Sequence, residues 1–247
     1  MFNHEDVLIP FHTSPLPSGP WIVFAPHADD ETFGMGGTLL KAKQQGIETH
    51  LVVLTDGSLG GDIDNLAEIR KDEATLASKH LGIRSLHCWS EPDRALYPST
   101  DMISRTSDII SSISPASVFF PGALEIHPDH RATAYIVWDS LRKLRSVGNV
   151  PEPFSYEIGV QNPINLLIDI TEQHEEKNLV MQIYKSQNAE NNYPELVSAL
   201  DKGRTFSLSH EVKYAEGFFR FLVEDLDNSY ESVFNSIIGL YQKIILK

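Results

Sequence analysis

The stretch that decides the reading is "WIVFAPHADDETFGMGGTLL", Trp21 to Leu40. Its first five residues, Trp21–Ala25, form an unbroken apolar run, the pattern of a strand buried on both faces. Directly after it, His27, Asp29, Asp30 and Glu31 set an imidazole beside three carboxylates. Gly34, Gly36 and Gly37 follow, and "GTLLKAKQQG" predicts a helix that stops at Gly46. The glycines do not make the dinucleotide fingerprint G-x-G-x-x-G, because Thr38 and Leu39 follow Gly37. Three acids just ahead of them would also repel a pyrophosphate. They are read instead as the turn by which a helix leaves the acidic cluster, with Gly36 and Gly37 allowing close helix–sheet packing.

Outward from this stretch the same unit repeats. "ETHLVVLTDG" reads as a second buried strand. "NLAEIRKDEATLASKHLG" has helical spacing at Leu66, Ile69, Leu76 and Leu81, with a stop at Gly82. "RSLHCW" is a third strand, "TDMISRTSDIISSIS" a helix capped at Ser99 or Thr100, "ASVFFPG" a fourth strand and "HRATAYIVWDSLRKLR" a helix. Strand–helix alternation from Trp21 to about Arg145 predicts a parallel sheet covered on both faces. Beyond Pro151, "PFSYEIGV" and "NLLIDI" look like two further strands, and "TEQHEEKNLVMQIYKSQ" like one helix starting at a Thr171 cap. The remainder reads as largely helical. The expected architecture is α/β: a Rossmann-like three-layer sandwich with a mostly parallel sheet and a C-terminal extension. One domain over residues 1–247 is expected. Residues 1–19 would be an irregular leader, and residues 151–247 would complete the fold.

The 247 residues carry a formal net charge of −14 with 41% hydrophobic residues. That is globular composition, and the acidity argues against a nucleic-acid partner. Cys88 is the single cysteine, so an intramolecular disulfide and a thiolate zinc cluster are both excluded. It lies in an apolar run and is expected to be a buried small hydrophobe. The N-terminus lacks a basic segment followed by an apolar core, so it is not read as a signal peptide. No run reaches the ~18 apolar residues of a membrane span. The expected location is the cytoplasm.

In a parallel sheet, functional groups gather beyond the carboxyl ends of the strands. His27 to Glu31 follow the first strand, "TDG" the second, "EPDR" the third and "GALEIHPDHR" the fourth. His27, Asp30 and His130 would offer two imidazole nitrogens and one carboxylate oxygen, a set that suits a catalytic Zn²⁺ with an open position. Asp29 could act as general base. Asp129 could fix a histidine tautomer, and His127, as imidazolium, could steady an oxyanion. Taken singly, "HADDE" reads as well as a helix N-terminus and "HPDH" as a turn. Two such motifs at the ends of strands of one sheet favour the site.

"PHADDE", "TDG", Arg70 with Glu73, and "HPDHR" together resemble the PIG-L/LmbE family of metal-dependent N-deacetylases. "DIT" at Asp169–Thr171, Lys177, "YKSQ" at Tyr184–Gln187 and "AEGF" at Ala215–Phe218 agree, in the same order, over roughly residues 20–220. The resemblance implies hydrolysis of the N-acetyl group of an N-acetylglucosamine-type sugar. It implies His27, Asp30 and His130 as ligands of one Zn²⁺ per chain, with another divalent metal as the alternative. Asp29 would be the base. Asp129 would orient His127, which would steady the tetrahedral intermediate. Arg70 and Asp93 would bind the sugar. Ala28 stands where the family usually has proline. Glu125 stands where some relatives carry a tyrosine that polarises the acetyl carbonyl; a carboxylate cannot do that, and Glu125 is expected to contact a sugar hydroxyl or a basic group of the substrate, or to pair with a nearby arginine. Two rivals remain: another metal-assisted hydrolase, such as one acting on a phosphoester, and a non-catalytic binding protein. The apolar stretch "SVFNSIIGLYQKIILK" is read as a helix packed on the core or on a second subunit. Membrane-surface contact, with Lys243 and Lys247 as its basic anchors, is the less favoured reading. Homo-oligomerisation stays open.

Overall fold

The computed structural model describes residues 9–148 and 150–242. Residues 1–8 of the leader, and Lys243, Ile244, Ile245 and Lys247 of the apolar C-terminus, lie outside them. Four strands come first: β1 (Trp21–Ala25), β2 (Thr49–Thr55), β3 (Ser85–Glu91) and β4 (Ser117–Pro121). They alternate with α1 (Asp30–Gln44), α2 (Leu66–Leu81), α3 (Thr100–Ile113) and α4 (Pro128–Arg145). Next come β5 (Glu152–Tyr156), β6 (Leu166–Asp169), α5 (His174–Met181), α6 (Lys185–Asn188) and α7 (Tyr193–Gly203). The chain continues with β7 (Ala215–Arg220), a 3₁₀ turn (Val223–Asp227) and α8 (Tyr230–Gln242).

The strands form one seven-stranded sheet in the order β3-β2-β1-β4-β5-β7-β6. Pairings from β3 through β5 are parallel, and β7 runs antiparallel to both β5 and β6. The mostly parallel α/β sheet is the one the sequence predicts. Alternation along β1 divides the core. Trp21, Val23 and Ala25 pack under α1, α2 and α5, whereas Ile22 and Phe24 pack on the other face under α3, α4 and α8. The two-sided burial explains why these strands read as continuous apolar runs.

Several local expectations change. α1 begins at Asp30, so the glycines lie inside the helix rather than in a turn before it. The helix is kinked at Met35 (φ −147°, ψ 22°), and the N–H groups of Gly37 and Thr38 donate instead to the Glu216 carboxylate, at 2.8 and 2.7 Å. A Cβ on Gly34 would run into the Glu157 carbonyl oxygen and the Tyr156 ring, and one on Gly37 would sit 2.8 Å from the Ile170 side chain. Close packing is therefore what these glycines serve. On α2 the buried face is Leu66, Arg70, Ala74, Ala77 and Leu81, while Ile69 and Leu76 are exposed. The helix turns its arginine, not its isoleucine, inward. The single helix expected from Thr171 is two, α5 and α6, and Thr171 accepts the Lys213 N–H rather than capping. "AEGFFR" in the supposedly helical remainder is strand β7. Cys88 is half-buried rather than buried. Ser99 is the cap of α3, its hydroxyl accepting the Met102 N–H at 3.1 Å.

Among the described residues of α8, Tyr230, Val233 and Ile237 are buried in the core against Trp138 and Phe221. The helix therefore packs on the core. No helix of the described residues is long and apolar enough to cross a membrane.

Candidate active site

The loops after β1, β2, β3 and β4 meet at one end of the sheet and floor a cleft of about 740 Å³. His27 lies at their centre. Its Nδ1 is 3.0 Å from Asp30 Oδ2, and its Nε2 is 3.3 Å from both Asp93 Oδ1 and Asp129 Oδ2. His130 Nε2 lies 3.3 Å from the same Asp30 Oδ2. One carboxylate oxygen is thus bracketed by two imidazole nitrogens. Ring nitrogens of His27, His127 and His130 come within 4.8 Å of one another, as do single atoms of His27, Asp93, His127 and Asp129. Asp30 is in neither of those groups at that spacing and joins the two rings through the contacts just given.

The local chain makes this possible by strain and by capping. Asp29 has φ 129°, a conformation that a non-glycine residue seldom adopts. Its carbonyl takes the N–H groups of Thr32 and Phe33 at 2.9 and 2.8 Å, opening α1. The His27 N–H donates to Asp30 Oδ2 at 2.9 Å, which closes the loop on itself. Arg70 pins the result. Its Nη2 donates to the Ala28 carbonyl at 2.9 Å and to Asp29 Oδ2 at 3.2 Å, and its Nη1 donates to the Gly57 carbonyl at 3.2 Å.

Charge is tightly coupled here. Burial alone would lower the His27 pKa, but hydrogen bonds to Asp129, Asp30 and Asp93 hold it well above the ordinary value. Burial is likewise overcome at His130 by the Asp30 charge, with its pKa pushed up to about 9. Burial would raise Asp30, yet His130 and His27 hold it well below the usual carboxylate range. For Asp29 burial wins: despite Arg70, its carboxyl rises to about 8. Burial, together with the neighbouring His27 and His130 charges, lowers His127.

Residues 22–141 match the model of the family described as GlcNAc-PI de-N-acetylase, PIG-L. This chain carries a PIG-L family domain. Diacetylchitobiose deacetylase of Thermococcus kodakarensis is 31% identical over 119 residues, 45% of each chain. The chain spans about half the length of the curated relatives it matches. Among solved structures, N,N'-diacetylchitobiose deacetylase of Pyrococcus horikoshii superimposes with a TM-score of 0.73 at 24% identity, covering 83% of this chain and 84% of that one. GalB, the 4-carboxy-2-hydroxymuconate hydratase of Pseudomonas putida KT2440, does so at 0.72 and 18%, covering 81% and 95%. These last two are likenesses of fold alone.

Within the PIG-L domain several residues take partners other than those expected. Asp129 faces His27 at 3.3 Å, closer than His127, whose Nδ1 is 4.0 Å away. Its two oxygens also accept the Arg94 and Leu96 N–H groups. His127 is held instead by a backbone donor: its Nδ1 accepts the Asp129 N–H at 3.2 Å, which puts the ring proton on Nε2. In this bond the ring accepts at Nδ1, as a neutral imidazole does and the expected imidazolium would not. Asp93 is engaged by His27 and by the Leu59 N–H at 3.0 Å, so its carboxylate organises the floor rather than standing free for a sugar. Arg70, as above, is committed to the Asp29 turn.

Glu125 is the largest correction. It is 2% exposed. Its carboxylate accepts the Ile158 N–H at 3.0 Å, the Gly159 N–H at 3.1 Å and Asn162 Nδ2 at 3.1 Å, and its Oε2 stands 3.5 Å from His130 Nδ1. Arg131 reaches the Glu125 backbone carbonyl, not the carboxylate. Glu125 therefore sets its charge behind His130, whose Nδ1 has no hydrogen-bond partner, and ties the loop after β5 to the site. Glu31, whose role was open, accepts hydrogen bonds from Tyr184 and Thr32 hydroxyls at 2.5 and 2.7 Å, and Glu73 accepts from Ser186. These contacts account for Arg70–Glu73 and "YKSQ" as parts of one scaffold.

The donor set fits a cation. Two imidazoles and a carboxylate converge, and each ring has a carboxylate behind its other nitrogen: Asp93 and Asp129 behind His27, Glu125 behind His130. That supporting arrangement is how proteins orient histidine ligands of metals. The far wall of the cleft was missed from sequence. It comes from Ile158 and Val160 after β5 and from Tyr193, Leu196, Val197 and Leu200 of α7. The one available signal was the spacing of Tyr193, Leu196, Val197 and Leu200, at i, i+3, i+4 and i+7, which marks a single apolar helix face.

Proposed function

We propose that this protein removes the N-acetyl group from an N-acetylated sugar or glycoconjugate by hydrolysis, with one Zn²⁺ per chain held by His27, Asp30 and His130. The observation that carries the reading is the Asp30 oxygen bracketed by two carboxylate-backed imidazoles on the floor of an open cleft. Nitrogen and oxygen donors of this kind suit zinc. Bound there, such a cation supplies Lewis acidity, which acidifies water and polarises a carbonyl oxygen.

The chain's own groups do the rest. Asp29 lines the cleft next to Asp30, its position set by the strained turn and by Arg70. In its ionised form it takes the proton of the attacking water, and with its pKa raised to about 8 it holds that proton until it passes to the departing sugar amine. His127 donates from Nε2 to the acetyl oxygen as negative charge grows there. Its backbone acceptor bond means that no reorientation is needed at that moment. Asp93 and Asp129 hold His27, and Glu125 holds His130. The hydroxyl partners of Glu31 and Glu73 keep the loop and α6 in register.

The second group around His27, with Asp93, His127 and Asp129, is where a two-cation phosphoester site would have to lie. Its carboxylates already accept backbone N–H groups of Leu59, Arg94 and Leu96, which favours a single cation. The test is acetate release from N-acetylglucosamine derivatives by zinc-loaded protein, with metal content measured alongside. Wild type should release acetate with about one zinc per chain, and Asp29→Asn should lose about 10²- to 10⁴-fold in kcat. An Asp29→Asn variant with full activity would remove Asp29 from the reaction. Two bound cations with phosphatase activity would replace the reading altogether.

A further inference from the structure

The floor of the cleft is polar, but its outer part is not. Leu59 after β2, Ile126 after β4 and Leu196 on α7 line it and remain 56%, 80% and 49% exposed. Large aliphatic side chains left open to water at three separate points of one rim mark a surface that meets something apolar. The wall between them continues with Val160 and Leu200. At about 740 Å³ the cleft lies in the upper part of the range of sites that enclose a drug-sized ligand, roughly 300–1,000 Å³. A single sugar ring at the floor leaves most of that space to another part of the substrate.

Charge narrows what that part is. Arg70 is buried on the cleft floor, where its Nη groups donate to Asp29, Ala28 and Gly57 while its Nε has no hydrogen-bond partner. The exposed charges among the described lining residues are Arg94 and Glu190, one of each sign. A diphosphate or polycarboxylate carrier would need an excess of arginine or lysine, and this rim has none.

We propose that the outer cleft is a subsite for an uncharged, apolar aglycone, an alkyl, acyl or aryl group attached to the N-acetylated sugar. The inference rests on the deacetylase reading and names its substrate class. Leu59, Ile126 and Leu196 act as specificity-determining residues that cover the aglycone while the acetamido group reaches the floor.

The test compares methyl, hexyl and p-nitrophenyl N-acetylglucosaminides with a nucleotide-diphosphate-linked N-acetylglucosamine, all below micellar concentrations. The hexyl and aryl glycosides should exceed the methyl glycoside in kcat/KM by about 10- to 100-fold, the gain residing in KM, as burial of several methylenes dictates. The diphosphate-linked sugar should gain nothing. Ile126→Ser combined with Leu196→Ser, both at exposed positions, should bring the hexyl value down toward the methyl one. Calorimetric binding of hexyl and methyl glycosides to metal-free protein reads the subsite without catalysis and should show the same order. Acetate release from the methyl glycoside with no gain from the hexyl chain overturns this inference alone, as does a preference for the diphosphate. No release from any glycoside, with hexyl binding no tighter than methyl, overturns both readings. No release but tighter hexyl binding retains the subsite and overturns the deacetylase.

Discussion

Two buried clusters of charge in this molecule are built on opposite plans. In the C-terminal half, Lys177 is fully buried, with Nζ 2.7 Å from Asp201 and 2.8 Å from Glu216. Glu216 also accepts the two N–H groups freed at the α1 kink. Every charge there is answered from within the chain. At the strand ends, Asp29, Asp30, Asp93 and Asp129 crowd around His27 with Arg70 as the buried cation, and the cluster faces an open cleft. A closed cluster holds elements together, whereas an open one with surplus carboxylates has capacity for a cation and a substrate. "AEGF" and Lys177 belong to the first plan, "HADDE" and "HPDH" to the second.

The contrast is testable, and the largest effect is expected in the closed cluster. Lys177→Met strands two buried carboxylates and should cost about 3–5 kcal/mol in urea unfolding; a loss under about 1 kcal/mol would mean that the cluster is not closed. Asp30→Asn should do the reverse. Cation affinity should fall by more than the roughly 100-fold that losing a supporting residue costs, while metal-free stability should fall by less than in Lys177→Met, because an amide oxygen at this position can still accept the His27 N–H. Equal destabilisation by the two variants would erase the distinction. Glu125→Gln should weaken cation binding by about 10- to 100-fold by chelator competition, and a Co²⁺ spectrum altered at the ligand field would separate an effect on His130 from a general loosening.

The smallest effect is a pH dependence. Burial opposes the charge on Lys177, but Asp201 and Glu216 outweigh it and raise its pKa. With the folded value above the unfolded one, the stabilisation is complete below about pH 10.4, the ordinary lysine value, and is lost as pH climbs through the raised one. Wild-type stability should therefore fall in that alkaline range by more than that of Lys177→Met. Parallel curves would place the lysine outside the cluster's energetics.

The parts of this design that were legible in the sequence are those carried by short-range pattern. Strands β1 to β4 announced themselves because burial on both faces forces unbroken apolar runs. Ser99 and Gly82 marked helix ends because caps are local. The loops after four strands had to converge because a parallel sheet sends its carboxyl ends to one side. His27, Asp30 and His130 could be nominated from that topology and from the motif resemblance.

What escaped was set by distant partners. Nothing near Gly37 says that its N–H will be taken by Glu216, so the local pattern starts the helix at Gly37 instead of at Asp30. Asp129 adjoins His127 and His130 in sequence yet turns toward His27, because the direction of a carboxylate depends on which ring and which backbone donors the fold delivers. Glu125 looked like a substrate contact until the loop at residues 158–162 came back to it. By itself, the sequence determined the parallel part of the sheet, the rim and the chemical types gathered there, since periodicity and residue identity are local properties. Only the tertiary structure decided which carboxylate backs which histidine and what wall faces the site, because those choices rest on contacts between residues tens to well over a hundred positions apart, such as Gly37 and Glu216.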